Sequence, residues 1–164
     1  MTATSANWYA LWVRSRSEFA TAGELARKGI EHYLPSVQRV RQWKDRKKTV
    51  DFPLFPGYIF VHLPRRADAF LQTVQTRGAV AFVALEPGHP TPVAEEEIAS
   101  LRILMQSGVA FDLYPSLQAG TAVRIKRGPL CGAVGVFAHR ADEQHFAVNV
   151  DILGRSVGLK IAVD

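Results

Sequence analysis

The sequence predicts an α+β protein, in which an N-terminal α/β sandwich is followed by a small five-stranded β-barrel. Strand-like and helix-like patterns alternate over residues 7–107, as they do in layered α/β domains. Residues 119–164 instead contain only short apolar runs separated by glycine-containing turns, which is typical of small barrels. Residues 108–118 lack periodicity, so they are predicted to be a linker between two small domains.

The N-terminal domain begins with an aromatic and β-branched stretch at residues 8–13, which predicts a strand. Ser15 and Glu18 then fit a capping box for a helix that ends near Gly29. A second strand is expected over residues 31–40, interrupted by Pro35, and the basic segment after it predicts an exposed hairpin or loop. The remaining elements are a strand at residues 58–63, a helix at 68–74, a strand at 79–85 and a helix at 95–107.

The C-terminal domain is predicted to contain strands near residues 122–125, 133–137, 146–153 and 157–163. Its apolar positions alternate with polar ones and are largely β-branched, which favours strands over helices. We therefore expect a β-structured resting state for this segment.

Composition and charge exclude several classes of protein. The chain carries a net charge of +5, which moderately favours an anionic partner. No apolar run approaches the length of a membrane-spanning helix, and residues 1–7 do not resemble a signal peptide, so we expect a cytoplasmic protein without a membrane partner. Cys131 is the single cysteine, and the five histidines show no metal-ligand spacing. We expect no metal, no cofactor and no catalytic activity.

Two motifs in the same chain resemble those of a known family. Trp8-Tyr9, followed by the string Pro53-Leu54-Phe55-Pro56-Gly57-Tyr58-Ile59-Phe60-Val61, resembles the N-terminal domain of NusG-like proteins. Residues 119–135, together with Val148-Asn149-Val150 and residues 154–157, resemble the KOW motif. The compact length and the Pro-Leu-Phe-Pro-Gly-Tyr string are most similar to the specialised paralogues RfaH and UpxY.

The resemblance implies a monomeric transcription elongation or antitermination factor that binds RNA polymerase through its N-terminal domain and reduces pausing or termination. The KOW domain would recruit a further partner, either a ribosomal protein or a termination factor. A different class remains open, namely a KOW-type RNA-binding or ribosome-associated protein that does not bind polymerase.

The resemblance also implies site residues. Trp12, Phe55, Tyr58 and Phe60 match a hydrophobic concavity that receives the clamp helices of the largest polymerase subunit. An aromatic pocket suits such a helix-in-groove contact, although ordinary core packing is the alternative for each of these rings. We expect replacement of Tyr58 and Phe60 by alanine to abolish polymerase binding while the fold survives.

The basic candidates fall into two groups. Arg14, Arg16, Arg27, Lys28 and Arg77 match or neighbour positions that face the non-template DNA strand in RfaH-like proteins. Lys44, Arg46 and Lys47 lie in the basic segment at residues 39–48, which suits contact with upstream DNA or emerging RNA. Solvated surface charge is the alternative for both groups.

The last candidate site is the turn formed by Gly128, Pro129 and Leu130, which matches the KOW loop that contacts a protein partner. Leu130 is expected to present a small apolar surface at the tip of this loop. The alternative is that the glycine and proline only form the turn.

Overall fold

The computed structural model describes residues 5–115, 120–140 and 143–161. The chain divides into two compact units, residues 1–92 and 93–164. This boundary precedes the predicted one because the helix at residues 95–106 groups with the C-terminal unit. Within the described ranges, no helix has both the length and the apolar character needed to cross a membrane.

The first unit contains most of the predicted N-terminal elements. They are β1 (Ala6–Val13), α1 (Glu18–Arg27), β2 (Glu31–Tyr33), β3 (Ser36–Gln42), β4 (Lys47–Pro53), β5 (Tyr58–Pro64), α2 (Ala67–Val74) and β6 (Ala79–Phe82). A two-residue strand, β7 (Pro92–Val93), lies at the boundary. The predicted strand at 31–40 is divided at Pro35, as the sequence indicated, into β2 and β3.

The main sheet of this unit has the antiparallel order β2-β5-β1-β6. Alternate residues of β1 and β5 point to opposite faces of the sheet. Tyr9, Leu11, Ile59 and Val61 are fully buried on one face and form a core with Leu25 of α1. This face of the sheet therefore packs against α1.

The beginning of α1 differs from the predicted capping box. Ser17 occupies the N-cap position and makes no side-chain capping hydrogen bond, and Glu18 is the first helical residue. Arg16 has a positive φ of 66°, and the amide of Ser17 donates to the carbonyl of Arg14 at 3.0 Å. A turn therefore occupies the residues that the capping box required, so the prediction for Ser15 is wrong.

The sequence predicts that the basic segment is either a hairpin or a loop, and the structure shows a hairpin. β3 and β4 make a separate two-stranded antiparallel sheet, with residues 43–46 as the connecting turn. The amide of Trp43 donates to the carbonyl of Arg46 at 2.8 Å and closes the turn. We refer to residues 36–53 as the basic ribbon.

The second unit contains α3 (Glu95–Gln106), β8 (Asp112–Pro115), β9 (Thr121–Arg124), β10 (Val134–Arg140), β11 (Glu143–Val150), a 3-10 turn (Asp151–Leu153) and β12 (Arg155–Ile161). The strands form one antiparallel sheet in the order β8-β12-β11-β10-β9. In the described part of the chain, this sheet is open, with β8 and β9 at its edges. The predicted closed barrel is therefore seen only as a five-stranded sheet.

Part of the predicted linker is a strand. β8 lies inside residues 108–118 and pairs with β12, with Leu113 opposite Val157 and Tyr114 opposite Ser156. The residues after Pro115 up to residue 119 lie outside the described ranges. Because β8 supplies an edge of the sheet, these four linker residues belong to the second unit.

The second unit has buried apolar residues both on α3 and in its sheet. Ile98, Leu101 and Leu104 are buried along α3, and Phe146 is fully buried in β11. The amide of Val134, at the start of β10, donates to the hydroxyl of Ser100 at 2.8 Å. This hydrogen bond joins the helix to the sheet, which explains why α3 groups with the C-terminal strands.

Candidate functional site

The predicted aromatic site lies on the face of the first sheet opposite the core with α1. Trp12 of β1 stands opposite Tyr58 of β5, and Phe60 follows two residues further along β5 on the same face. Phe55 precedes the strand, and its ring meets that of Phe60 edge-to-face with centroids 6.2 Å apart. The structure therefore brings the predicted aromatic residues into one region.

Burial divides this aromatic set into two parts. Phe55 is 1% exposed and Phe60 is 0% exposed, so both are core residues. Trp12 is 52% exposed, and Tyr58 is partly buried. A buried ring has no surface to offer a partner, so the accessible part of the site consists of Trp12 with the edge of Tyr58.

The turn before β5 holds Trp12 in place. Gly57 has a φ of 90° and its carbonyl accepts a hydrogen bond from the amide of Val13 at 2.8 Å. A Cβ at Gly57 would lie 3.9 Å from the Trp12 ring, which shows that the turn runs beside the indole. The Phe-Pro-Gly-Tyr string thus positions an exposed indole at the end of β1.

The structure also contains an apolar cleft that the sequence analysis did not identify. It lies between α2, β6 and the loop after β6, and it has a volume of about 480 Å³. Phe70 and Phe82 line it with rings 5.2 Å apart, and Leu71 at its rim is 55% exposed. The sequence signal for this cleft is the composition of α2, in which five of eight residues are apolar. Because one face of a helix cannot bury them all, some of these residues must lie at the surface.

Three of the predicted basic residues lie on two loops that the fold joins. The amide of Arg14 donates to the carbonyl of Gly78 at 2.8 Å, and the hydroxyl of Thr21 donates to the carbonyl of Arg77 at 2.9 Å. Arg14, Arg16 and Arg77 all have exposed side chains. These hydrogen bonds hold the loop before α1 beside the loop before β6. The three exposed cations therefore lie on two neighbouring loops.

The other two basic residues of that group have partners. Arg27 forms an ion pair with Glu24 at 2.8 Å on the surface of α1. The Lys28 ammonium donates to the carbonyl of Gln72 and to the hydroxyl of Thr76, each at 3.0 Å. Lys28 therefore joins the C-terminal ends of α1 and α2, which is a structural role that the sequence analysis did not anticipate.

Lys44 and Arg46 lie in the turn of the basic ribbon, Lys47 begins β4, and all three are exposed. The guanidinium of Arg46 lies over the Trp43 ring, 5.9 Å from its centroid. These three cations belong to a different element from Arg14, Arg16 and Arg77, so the predicted nucleic-acid residues form two groups.

The predicted C-terminal contact loop is only partly accessible. Gly128 has a φ of 87°, and its carbonyl accepts a hydrogen bond from the amide of Cys131 at 3.1 Å. Leu130 is 8% exposed, so it does not present the apolar surface that we expected. The turn folds Leu130 inward and leaves Gly128 and Pro129 exposed.

A pair of carboxyl groups links α3 to the 3-10 turn of the second unit. Burial, together with repulsion from Asp151 and a side-chain hydrogen bond to it, raises the pKa of Glu97 from 4.5 to about 7. Across the described ranges, no three or more His, Cys, Asp and Glu side chains are grouped closely enough to hold a metal ion.

Comparison with known proteins identifies the class of protein to which this architecture belongs. A family model described as "NusG: Transcription termination factor nusG" matches residues 6–102, which is more than half of the chain. The class is thus that of transcription factors with an α+β N-terminal unit. The chain belongs to the NusG family.

Curated relatives agree with this assignment. The chain is 32% identical over 135 residues to the transcription termination/antitermination protein NusG of Staphylococcus carnosus, covering 80% of this chain and 73% of the relative. It is 24% identical to the protein of the same description from Helicobacter pylori strain J99 over 94% of both chains. A solved structure described as "Domain interaction in Thermotoga maritima NusG" has a TM-score of 0.51 and 22% identity, covering 97% of this chain and 94% of that one, which supports the fold.

Proposed function

We propose that this protein is a transcription elongation or antitermination factor that binds RNA polymerase through its N-terminal unit. The clamp helices of the largest polymerase subunit are the proposed contact, and the proposed effect is reduced pausing or termination. The observation that carries the proposal is the 52% exposed Trp12 beside Tyr58, in a chain of the NusG family. Exposed indoles in such positions are frequent anchors of protein interfaces.

The exposed arginines on the two joined loops support a second contact, with the non-template DNA strand. Guanidinium groups bind phosphates with paired hydrogen bonds and stack on unpaired bases, so Arg14, Arg16 and Arg77 suit a single strand. The partly paired Arg27 and Lys28 would extend this surface along the end of α1.

The C-terminal unit is proposed to recruit a further partner as a KOW domain. The exposed turn at Gly128 and Pro129 is the candidate contact, and a ribosomal protein or a termination factor is the candidate partner. The five strands would form the small barrel that the resemblance implies. The N-terminal domain would extend to residue 107 and include α3, because the family model matches residues 6–102, although α3 is also hydrogen-bonded to the C-terminal strands.

A binding measurement with core RNA polymerase tests the central proposal. Purified protein should bind core polymerase, and Trp12→Ala should weaken binding by at least about thirtyfold, because a central aromatic anchor contributes about 2 kcal/mol or more. Trp43→Ala is the matched control, since it removes a 43% exposed indole from the basic ribbon and should leave binding unchanged.

Two results would contradict the proposal. Equal loss of binding in both variants would show that Trp12 is not a specific anchor. Absence of binding by the folded wild-type protein would instead favour the KOW-type RNA-binding alternative. Because Trp12 is exposed at the end of its strand, its replacement is expected to leave the fold intact.

A further inference from the structure

The basic ribbon is isolated and solvated. β3 and β4 pair only with each other in the described structure, and every residue from 38 to 49 is exposed. A two-stranded hairpin without a covered face gains little stability from packing. The need for stability therefore does not explain why the ribbon is rich in basic residues. The ribbon therefore presents its side chains to the solvent on both faces.

The ribbon carries most of the excess charge of the protein. It contains six basic and two acidic residues, a net charge of +4 in a chain whose total is +5. The ion pairs recorded among the described residues all lie in other elements. The ribbon cations are consequently free to meet an anionic partner.

The strand register places three of these cations on one face. Arg41 stands opposite Lys48, and Arg39 follows two residues away on the same face of β3. The guanidinium groups of Arg39 and Arg41 lie over the Phe52 ring, 5.8 and 5.1 Å from its centroid. Phe52 thus orders two guanidinium groups that retain their hydrogen-bond donors.

We propose that the basic ribbon binds duplex DNA by lying in the major groove with the face of Arg39, Arg41 and Lys48 against the DNA. The B-form major groove, about 12 Å wide, admits a two-stranded β-ribbon. The A-form major groove of duplex RNA is too deep and narrow for it. This inference goes beyond the proposed function, which assigns DNA contact to the loop arginines, by naming a second element, its binding face and the form of nucleic acid that it binds.

The aromatic residues of the ribbon argue against a single strand as its ligand. Proteins that bind single strands stack bases on open aromatic rings. Here the Phe52 ring is covered by two arginines, and the Trp43 ring at the turn has Arg46 over it. Cations dominate this surface, and guanidinium groups suit phosphates and guanine edges in a groove.

Fluorescence anisotropy with labelled nucleic acids and the full chain tests the proposal without polymerase. The probes are a 20-base-pair DNA duplex, the RNA duplex of the same sequence and one DNA strand. The test variant is Arg39→Gln/Arg41→Gln/Lys48→Gln. The matched control, Arg65→Gln/Lys126→Gln/Arg127→Gln, removes three exposed charges outside the ribbon.

We expect wild-type protein to bind the DNA duplex with a roughly micromolar dissociation constant at low salt, and to bind it more tightly than either other probe. The ribbon variant should bind at least about tenfold more weakly than the control variant. Its slope of log affinity against log salt should fall by up to about 2.7, since each lost phosphate contact removes about 0.9.

Three outcomes would overturn the proposal: equal weakening by both variants, equal or tighter binding of the RNA duplex, and tighter binding of the single strand. Arg39→Lys/Arg41→Lys adds a separate check, since it should keep the salt slope while weakening duplex binding through loss of the planar guanidinium groups. Because polymerase is absent from this assay, its result is distinguishable from a failure of polymerase binding. The ribbon variant should also retain polymerase binding, since it leaves Trp12 unchanged.

Discussion

The carboxyl pair of Glu97 and Asp151 predicts that the second unit becomes less stable as the pH rises from about 4.5 to 7. Glu97 lies in the first turn of α3, and burial, with repulsion from Asp151, raises its pKa from 4.5 to about 7. Between these values the folded protein holds a proton that the unfolded chain releases, so stability falls as the pH increases. Above pH 7 the carboxyl group is ionised in both states, and the full penalty is present.

The substitution Glu97→Gln removes this penalty and keeps a polar side chain that can donate to Asp151. One pKa unit corresponds to about 1.4 kcal/mol. Glu97 is only partly buried, and water screens the repulsion, so we expect a gain of about 1–2 kcal/mol at pH 8 and little change at pH 4.5. Loss of a favourable helix-dipole interaction would reduce this gain by a few tenths of a kcal/mol.

Amide hydrogen exchange in β10 and β11 measures the stability of the second unit, to which Glu97 belongs. The three tryptophans are Trp8, Trp12 and Trp43, so tryptophan fluorescence reports on the first unit instead. Variants are compared with wild-type protein at the same pH, so that intrinsic exchange rates cancel. The control is Glu95→Gln, which removes a charge from the same helical turn at an exposed position.

The reasoning is wrong if Glu97→Gln lowers the protection of these strands at pH 8. It is equally wrong if the change in protection is the same at pH 5 and pH 8, since a pH-independent effect cannot come from ionisation of Glu97. A matching gain in the Glu95→Gln control would indicate general charge reduction at the helix end.

Two further predictions concern the first unit, and chemical denaturation followed by tryptophan fluorescence measures both. Gly78→Ala should lower stability by about 2–3 kcal/mol, because Gly78 has a φ of 91° and a new Cβ would overlap the Thr21 hydroxyl and disrupt its hydrogen bond to Arg77. The control Gly23→Ala, in open space within α1, should instead stabilise by about 0.5–1 kcal/mol, and equal effects would refute the explanation. Phe60→Ala should cost about 3–5 kcal/mol because the ring is 0% exposed, whereas a loss under 1 kcal/mol would contradict its core position.

The prediction for Phe60 changes how the aromatic site must be tested. Replacing Tyr58 and Phe60 together would unfold the first sheet, because Phe60 is buried. A loss of polymerase binding in that variant would then say nothing about the binding site. Trp12 is the better position because its indole is half exposed. The family motif brought together a set of aromatic residues but could not separate the accessible ring from the buried ones.

Local pattern was sufficient for elements whose residues carry their own signal. The aromatic and β-branched runs at residues 8–13 and 58–63 predicted two strands, which are β1 and β5. The charged run after Pro35 lacked an apolar face, which predicted an exposed segment, and the ribbon at residues 36–53 agrees with this. These features depend on the spacing of nearby residues, which the sequence contains directly.

Elements that depend on distant partners were missed or misplaced. β8 is four residues long and lies in the predicted linker, because its strand character comes from pairing with β12, which begins forty residues further along the chain. The start of α1 was also misplaced, because the turn at Arg14–Ser17 and the positive φ of Arg16 replaced the predicted capping box. Neither feature has a periodic signal of its own.

The sequence by itself determined the family, the order of most elements and the faces of the central strands. Only the tertiary structure decided how accessible each side chain is: Trp12 and Phe60 share one face of the same sheet, yet one is 52% exposed and the other 0%. It also turned Leu130 inward and gave Lys28 a structural role. The physical reason is that strand period selects a face, whereas burial depends on neighbours that are contributed by distant parts of the chain.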